Sequence, residues 1–271
     1  MRGHTGRLRQ RVNNKDLLVF GCIMDARSGA VVEAYHEAGY DALLIDREHT
    51  ALNSETVLEH IRLARALDFP CMVRVAEDCC HELNRTLDQA PDGIFVPRIR
   101  SRAQVENLVR MVKYPPLGMR GLAGSACPVG KYVGWKSVVE QVECVNRDLV
   151  VGIQIETAEA LDDLDGILSV PGVDIAVVGN DDLSMGMGIP GQLTAPEYLA
   201  AVERVIGACR RHNVLPGIAG GDPVTVRYWI ERGMRAIWFA ADVCLLWQAA
   251  AQQLSKLHEA LADLDLQERA R

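Results

Sequence analysis

Ala42-Leu43-Leu44-Ile45-Asp46-Arg47-Glu48-His49 is a short apolar run that ends in a burst of charge, and soon after it Ser54 to Ala66 (SETVLEHIRLARA) repeats its apolar residues at three-to-four spacing. The first pattern is that of a buried strand and the second that of an amphipathic helix, so together they make one βα unit. Working outward, seven more apolar runs recur: Leu17 to Met24, Cys71 to Val75, Gly93 to Val96, Val150 to Glu156, Ile175 to Gly179, Leu215 to Ala219 and Ala236 to Ala240. Each leads into a helical pattern, such as Pro196 to His212 after the sixth. Eight units in 271 residues predict one closed (β/α)8 barrel, or TIM barrel, a fold that typically takes roughly 250 residues. The competing open, doubly wound sheet would bind a dinucleotide through a strand followed by GxGxxG, and no predicted strand runs directly into such a stretch. A single domain over 1–271 is therefore expected, with polar tails at about 1–15 and 265–271.

Composition narrows the function. Hydrophobic residues make up 49% of the chain and charged residues 24%, with no apolar run approaching the ~20 residues needed to span a bilayer. Met1 to Gln10 is basic and polar and is followed by Arg11, Asn13, Asn14 and Lys15, so the apolar core of a secretory signal is missing and a cytoplasmic protein without membrane contact is expected. A formal charge of -7 and the lack of a basic, aromatic-interleaved stripe exclude nucleic acid as the expected partner. The eight cysteines show no CxxC pair, so neither a zinc cluster nor a disulfide framework is indicated, and burial as small hydrophobes is expected for most. The adjacent Cys79 and Cys80 have no assigned role.

In a (β/α)8 barrel, catalytic groups sit at the C-terminal strand ends and in the loops that follow. Along Ile153-Gln154-Ile155-Glu156 the side chains alternate. If the isoleucines face the helices, Gln154 and Glu156 point into the barrel, where a lone carboxylate needs a partner or a cation. Asp182, on the next loop, can add a second carboxylate, and a hard divalent cation is commonly held by one or two carboxylates plus substrate oxygens and water. The alternatives are that Asp182 caps a helical turn and that Glu156 pairs with Arg74. His49 follows Asp46 by three residues, close enough for the carboxylate to orient the imidazole as a general base, and Arg74 at the end of the third strand can hold an oxyanion or serve as an ion-pair partner. None of the five lysines, Lys15, Lys113, Lys131, Lys136 and Lys256, ends a predicted strand, which disfavours imine chemistry. The Gly- and Pro-rich Tyr114 to Lys136 segment is long for a connection, and is expected to cover the site or touch a neighbouring subunit. The last helix, Val243 to Leu264, carries Leu245, Leu246, Trp247, Leu254 and Leu257; it either closes its own barrel or packs on a neighbour.

With these residues in place, the chain resembles the HpcH/HpaI family of class II pyruvate aldolases, which includes hydroxy-oxo-heptanedioate and dehydro-deoxy-glucarate aldolases. The resemblance rests on Ala38-Gly39-Tyr40-Asp41, Leu44 to His49, Val73-Arg74, Val96-Pro97, Tyr114-Pro115-Pro116 with Gly118-Met119-Arg120-Gly121, Gln154-Ile155-Glu156-Thr157 and Gly179-Asn180-Asp181-Asp182-Leu183-Ser184, in that order. It implies a lyase that cleaves 4-hydroxy-2-oxo acids through a pyruvate enolate, with Glu156 and Asp182 holding Mg2+, Mn2+ or Co2+. It further implies that Arg74 steadies the enolate oxygen, that His49, oriented by Asp46, moves the proton, and that Gln154 and Asp88 line the site. Backbone N–H groups from Gly179 through Asn180 to Asp181 would receive the substrate carboxylate, and the family's oligomers are usually hexamers.

This chain departs from the family pattern in having Arg47 for a common glycine, Asn180 for a frequent proline, Gln89-Ala90-Pro91 after Asp88, and Ser125-Ala126-Cys127-Pro128 where many members carry arginines. Arg47 is expected to select a carboxylated acceptor through its planar guanidinium, the alternative being that strand alternation turns it away. Related enolate chemistry on another acceptor, as in macrophomate synthase or acyl-CoA lyases, and an inactive scaffold barrel are the other readings.

Overall fold

The computed structural model describes residues 6–123 and 137–262. Eight strands, β1 (Leu18–Ile23), β2 (Ala42–Asp46), β3 (Cys71–Arg74), β4 (Gly93–Val96), β5 (Val150–Ile155), β6 (Ile175–Val178), β7 (Leu215–Gly220) and β8 (Ala236–Ala241), pair in sequence order, all parallel, and β1 closes on β8. Between β1 and β4 run α2 (Ala30–Glu37), α3 (Ser54–Ala66) and α4 (Cys80–Leu87), after a leading α1 (Arg7–Asn13). Between β4 and β6 the described helices are α5 (Arg102–Val112), α6 (Val138–Asp148), α7 (Ala158–Asp162) and α8 (Leu164–Leu168). α9 (Asn180–Gly186) and α10 (Pro196–Arg211) precede β7, α11 (Pro223–Arg232) precedes β8, and α12 (Asp242–Ala260) follows it.

Local chemistry sets these boundaries. Asn53 Oδ1 accepts from the Thr56 N–H (2.9 Å) to start α3, and Thr157 Oγ1 accepts from the Ala160 N–H (3.1 Å) to start α7; such caps satisfy donors that the first helical turn leaves without acceptors. Pro196 and Pro223 open α10 and α11, where a missing N–H costs nothing. The core has an outer shell between strands and helices and an inner stack within the barrel. Ile153 and Ile155 sit in the outer shell and Phe20, Met72, Phe95 and Trp238 in the inner stack. The alternation expected for β5 is thus realised. Gly152 is required there, because a Cβ would lie 2.2 Å from the Phe95 ring.

Two expectations are corrected and one open choice is narrowed. Within the expected N-terminal tail, the described residues are not simply polar chain, since α1 turns Leu8 and Val12 into the barrel floor, where both are buried among the inner stack, and Arg9 donates to Asp174 (2.8 Å). Most of the described cysteines are not buried: Cys22, Cys71 and Cys209 are, whereas Cys79, Cys80 and Cys244 are exposed and Cys144 is half-buried. Finally, α12 does not close its own barrel as a packed helix, for all but its first residue is exposed. Cys127 and most of the proposed cover, 124–136, lie outside the described residues. Among the described residues no helix is long and apolar enough to cross a membrane.

Candidate active site

Strands β1, β2, β3, β5 and β8 and the segments after β6 and β7 converge on a cavity of about 560 Å³ at the C-terminal end of the barrel. Asp46, His49, Arg74, Gln154, Glu156, Gly179, Asn180, Asp181 and Asp182 all line it, so nine of the eleven residues expected in the site are brought together. The β2–β3 register places Asp46 opposite Arg74. The Asp46 carboxylate takes a two-point contact from Arg74, Nε to Oδ1 at 2.7 Å and Nη2 to Oδ2 at 2.8 Å. The third guanidinium nitrogen, Nη1, reaches Gln154 Oε1 at 3.3 Å and Glu48 Oε2 at 3.1 Å, and the group lies 5.4 Å from the Trp238 ring centroid. This is the planar, multi-point geometry for which lysine is a poor substitute. Although burial opposes the charge on Asp46, Arg74 and the N–H groups of Glu48 and His49 hold its pKa below the ordinary carboxylate value. Burial likewise opposes the Arg74 charge, but Asp46, then Glu48 and Glu156, push its pKa upward.

Glu156 is 4% exposed. Its Oε1 accepts the Arg98 backbone N–H at 2.6 Å and its Oε2 accepts Gln154 Nε2 at 2.8 Å. Burial pushes its pKa up to about 7, the Arg98 N–H opposes this, the charges of Glu48 and Asp182 add to it, and Arg74 opposes it again. Gly179 makes room for this carboxylate: a Cβ there would stand 2.2 Å from Glu156 Oε2. Asp182 lies in the first turn of α9, more exposed, with Arg98 Nη2 3.7 Å from its Oδ2. It does not cap the helix, whose N-cap Gly179 has no side-chain bond. The ion pairs of Arg74 run to Asp46 and Glu48 rather than to Glu156, so neither the Asp182 cap nor the Glu156–Arg74 pair is formed.

Several assignments change in detail. Asp46 does not orient the His49 imidazole; its Oδ2 accepts the His49 backbone N–H at 3.3 Å, while the half-exposed ring has Nε2 3.6 Å from Glu48 Oε2. The Gly179 N–H is donated to the Ile155 carbonyl (3.2 Å) and is not free for a substrate. The Asn180 side chain donates to the Ala219 carbonyl (2.7 Å) and accepts from Tyr198 (2.8 Å), so it ties β6 to β7 and α10 and leaves only its backbone to the cavity. Arg47 turns away from the cavity to Glu82 (2.5 Å) and Thr86 (3.3 Å) on α4; the acceptor role is overturned. Asp88 is not in the cavity either, and pairs with the buried Arg120 at 2.9 Å. No described lysine lines the cavity; buried Lys113 donates to the carbonyls of Asn146 and Leu149 (2.8 and 3.0 Å), and burial lowers its pKa to about 8.

Three positions that hold the lining residues or loops in place are not singled out by the sequence. Glu48 stands in the sequence only as one residue of the Leu44 to His49 motif, yet its buried carboxylate meets Arg74 (3.1 Å) and Arg98 (3.2 Å). Arg98 holds Glu156 through a backbone with φ +56°, a left-handed conformation uncommon away from glycine and found where geometry is enforced. Asp242, which directly follows β8 and opens α12, accepts from the N–H groups of Met24 (3.0 Å), Asp25 (3.1 Å), Ala26 (2.7 Å) and Val243 (2.8 Å), fixing the loop after β1 against α12. Its place at a C-terminal strand end was the available signal.

The profile of the HpcH/HpaI aldolase/citrate lyase family matches residues 20–247. The chain is 31% identical to the hydroxypyruvate/pyruvate aldolase of Paraburkholderia phytofirmans over 93% of this chain and 98% of that one. It is 32% identical to the 4-hydroxy-2-oxo-heptane-1,7-dioate aldolase of Shigella sonnei over 79% of this chain and 80% of that one. The crystal structure of an HpcH/HpaI aldolase from Desulfitobacterium hafniense superposes with a TM-score of 0.88 at 28% identity, covering 93% of this chain and 96% of that one. A barrel whose C-terminal mouth gathers these carboxylates around Arg74, matched along most of its length by aldolases, leads to one conclusion: the chain belongs to the HpcH/HpaI aldolase/citrate lyase family and is an aldolase.

Proposed function

We propose that this aldolase is divalent-metal-dependent and makes or cleaves 4-hydroxy-2-oxo acids through the enolate of pyruvate or a similar 2-oxo acid. The observation that carries the reading is the meeting of Glu156 and Asp182 with Arg74 and Gln154 in one cavity. The donor set fits a hard cation: two carboxylates, with the charge of Asp182 adding to the cost of ionising buried Glu156, and open space beside them for water and substrate oxygens. Among the described residues no group of three or more His, Cys, Asp or Glu side chains is placed to hold a metal, so this chain would contribute the two carboxylates of Glu156 and Asp182 to Mg2+, Mn2+ or Co2+. The family is generally dependent on divalent metals. When bound, such a cation polarises the ketone of the 2-oxo acid and lowers the cost of the enolate.

The protein side of the chemistry is then positioning and proton transfer. Gln154 orients Glu156 through Nε2. Arg74, immobilised by Asp46, holds positive charge where the enolate oxygen develops negative charge, a pre-organised stabilisation that needs no rearrangement during reaction. The N–H groups of Asn180, Asp181 and Asp182, in the first turn of α9 and so without intrahelical acceptors, suit the substrate carboxylate. His49 at the mouth exchanges the proton with the aldehyde or alkoxide oxygen, with Glu48 beside its ring. The substrate is small, and the assembly is a homo-oligomer, hexameric as the resemblance implies; the exposed Leu246, Trp247, Leu254 and Leu257 of α12 support association.

Exchange of pyruvate methyl protons with solvent deuterium tests this reading without an acceptor. Exchange is expected to require added metal and to disappear in Glu156→Gln and in Asp182→Asn. Undiminished exchange in the presence of a chelator would refute it.

A further inference from the structure

The two ends of the cavity differ in chemistry. At the β2, β3, β5 and β6 end stand Asp46, Arg74, Glu156, Asp181 and Asp182. At the β8, β1 and α12 end the wall is Cys22, Met24, Trp238, Ala240, Cys244 and Gln248. If the 2-oxo acid occupies the charged end, as the proposed function requires, the acceptor meets the second wall. This wall is anchored, because Asp242 holds Met24 and its neighbours by their N–H groups, and with its carboxylate so engaged presents no free charge to the cavity.

Arg74 is the only cation lining the cavity among the described residues, and Asp46, Glu48 and Gln154 already engage it. The two nearby guanidinium groups are also committed, Arg47 to Glu82 and Arg98 to Glu48 and Asp182. Four carboxylates line the cavity against this one guanidinium. A divalent cation together with a 2-oxo acid carboxylate adds a single positive charge, so the loaded site, counted over the described lining residues, stays net negative. An anionic aldehyde would enter against like charge and give up water with no uncommitted guanidinium among the described residues to replace it, whereas a neutral one incurs neither cost. The Gln248 amide can both donate to and accept from a hydroxyl.

We propose that the acceptor aldehyde of this enzyme is uncharged, a short alkyl or hydroxyalkyl aldehyde rather than a carboxylated one. The test compares glycolaldehyde with glyoxylate, matched in carbon count, as acceptors for pyruvate with the full-length metal-loaded protein. kcat/KM is expected to favour glycolaldehyde by about tenfold or more. Gln248→Arg places a fork of donors at the neutral end, on an exposed helical position that tolerates arginine. It should move the glycolaldehyde-to-glyoxylate ratio toward glyoxylate by roughly ten- to a hundredfold, the range of one charged hydrogen bond. Intrinsic aldehyde reactivity cancels in that comparison. Glyoxylate used as well as or better than glycolaldehyde by the wild type, or a ratio unmoved in Gln248→Arg, would overturn the assignment. Pyruvate proton exchange in the same samples separates the two levels: if it persists while the acceptor result fails, only the acceptor is wrong, and if it is absent the enolate reading fails and the acceptor assignment with it.

Discussion

Glu156 combines two demands on one side chain, since it must be buried to meet a cation yet is costly to ionise without one. Its pKa in the folded protein is raised from 4.5 to about 7. A raised folded-state value means that the stability the group contributes is complete below about 4.5 and is lost as pH climbs through about 7. Replacing it with glutamine removes that dependence. In chelator, Glu156→Gln should therefore gain on the wild type by about 1 to 3 kcal/mol between pH 5 and pH 8, read from urea denaturation at both values. The hydrogen bond lost toward Gln154 does not titrate in this range, so the pH difference isolates the carboxylate. Equal stability differences at the two pH values would show that Glu156 ionises freely. Asp46 runs the other way: Arg74 depresses its pKa, and its contribution is lost only as pH falls below the ordinary aspartate range.

At the level of elements, α1 is a short helix with a large effect. Only Leu8 and Val12 are apolar and buried in it, but they fill the floor of the barrel beneath β1 and β5. Leu8→Ala should cost about 2 to 5 kcal/mol, as core truncations do where the site cannot collapse, and a loss under about 0.5 kcal/mol, typical of surface substitutions, would mean that α1 is merely draped on the surface. Two apolar residues among arginines and glutamine give too weak a period to mark a helix, which is why α1 was read as a tail. The strands were legible to within about a residue because parallel barrel strands are apolar on both faces. The site was legible where a residue's role follows from its own strand, as for Gln154 and Glu156. It was not legible where the partner comes from another βα unit. Arg47 went wrong because Glu82 and Thr86 lie on α4, and Arg98 and Asp242 were missed because what they hold is distant in sequence. Asn180 likewise serves β7 and α10, which no local pattern announces.

Considered as a whole molecule, the barrel is well buried on most sides and bare at α12. Leu246 and Trp247 are 72% and 70% exposed, more apolar surface on adjacent residues than an isolated soluble protein ordinarily leaves uncovered. Changing both to glutamate should shift the protein to a smaller species in size-exclusion chromatography with light scattering; a wild type that already runs as a monomer would contradict the oligomer. The closed floor has a different consequence. With α1 and the inner stack blocking the N-terminal end, the cavity is a blind well. Two of the groups read as serving the 2-oxo acid lie deep in it, Gln154 at 1% and Glu156 at 4% exposure, while His49 and Gln248 stand at the mouth. Traffic must therefore be sequential: the oxo acid enters before the aldehyde and leaves after it. During cleavage of a 4-hydroxy-2-oxo acid, pyruvate should inhibit competitively and the aldehyde noncompetitively, and the reverse pattern would require a second way out of the barrel.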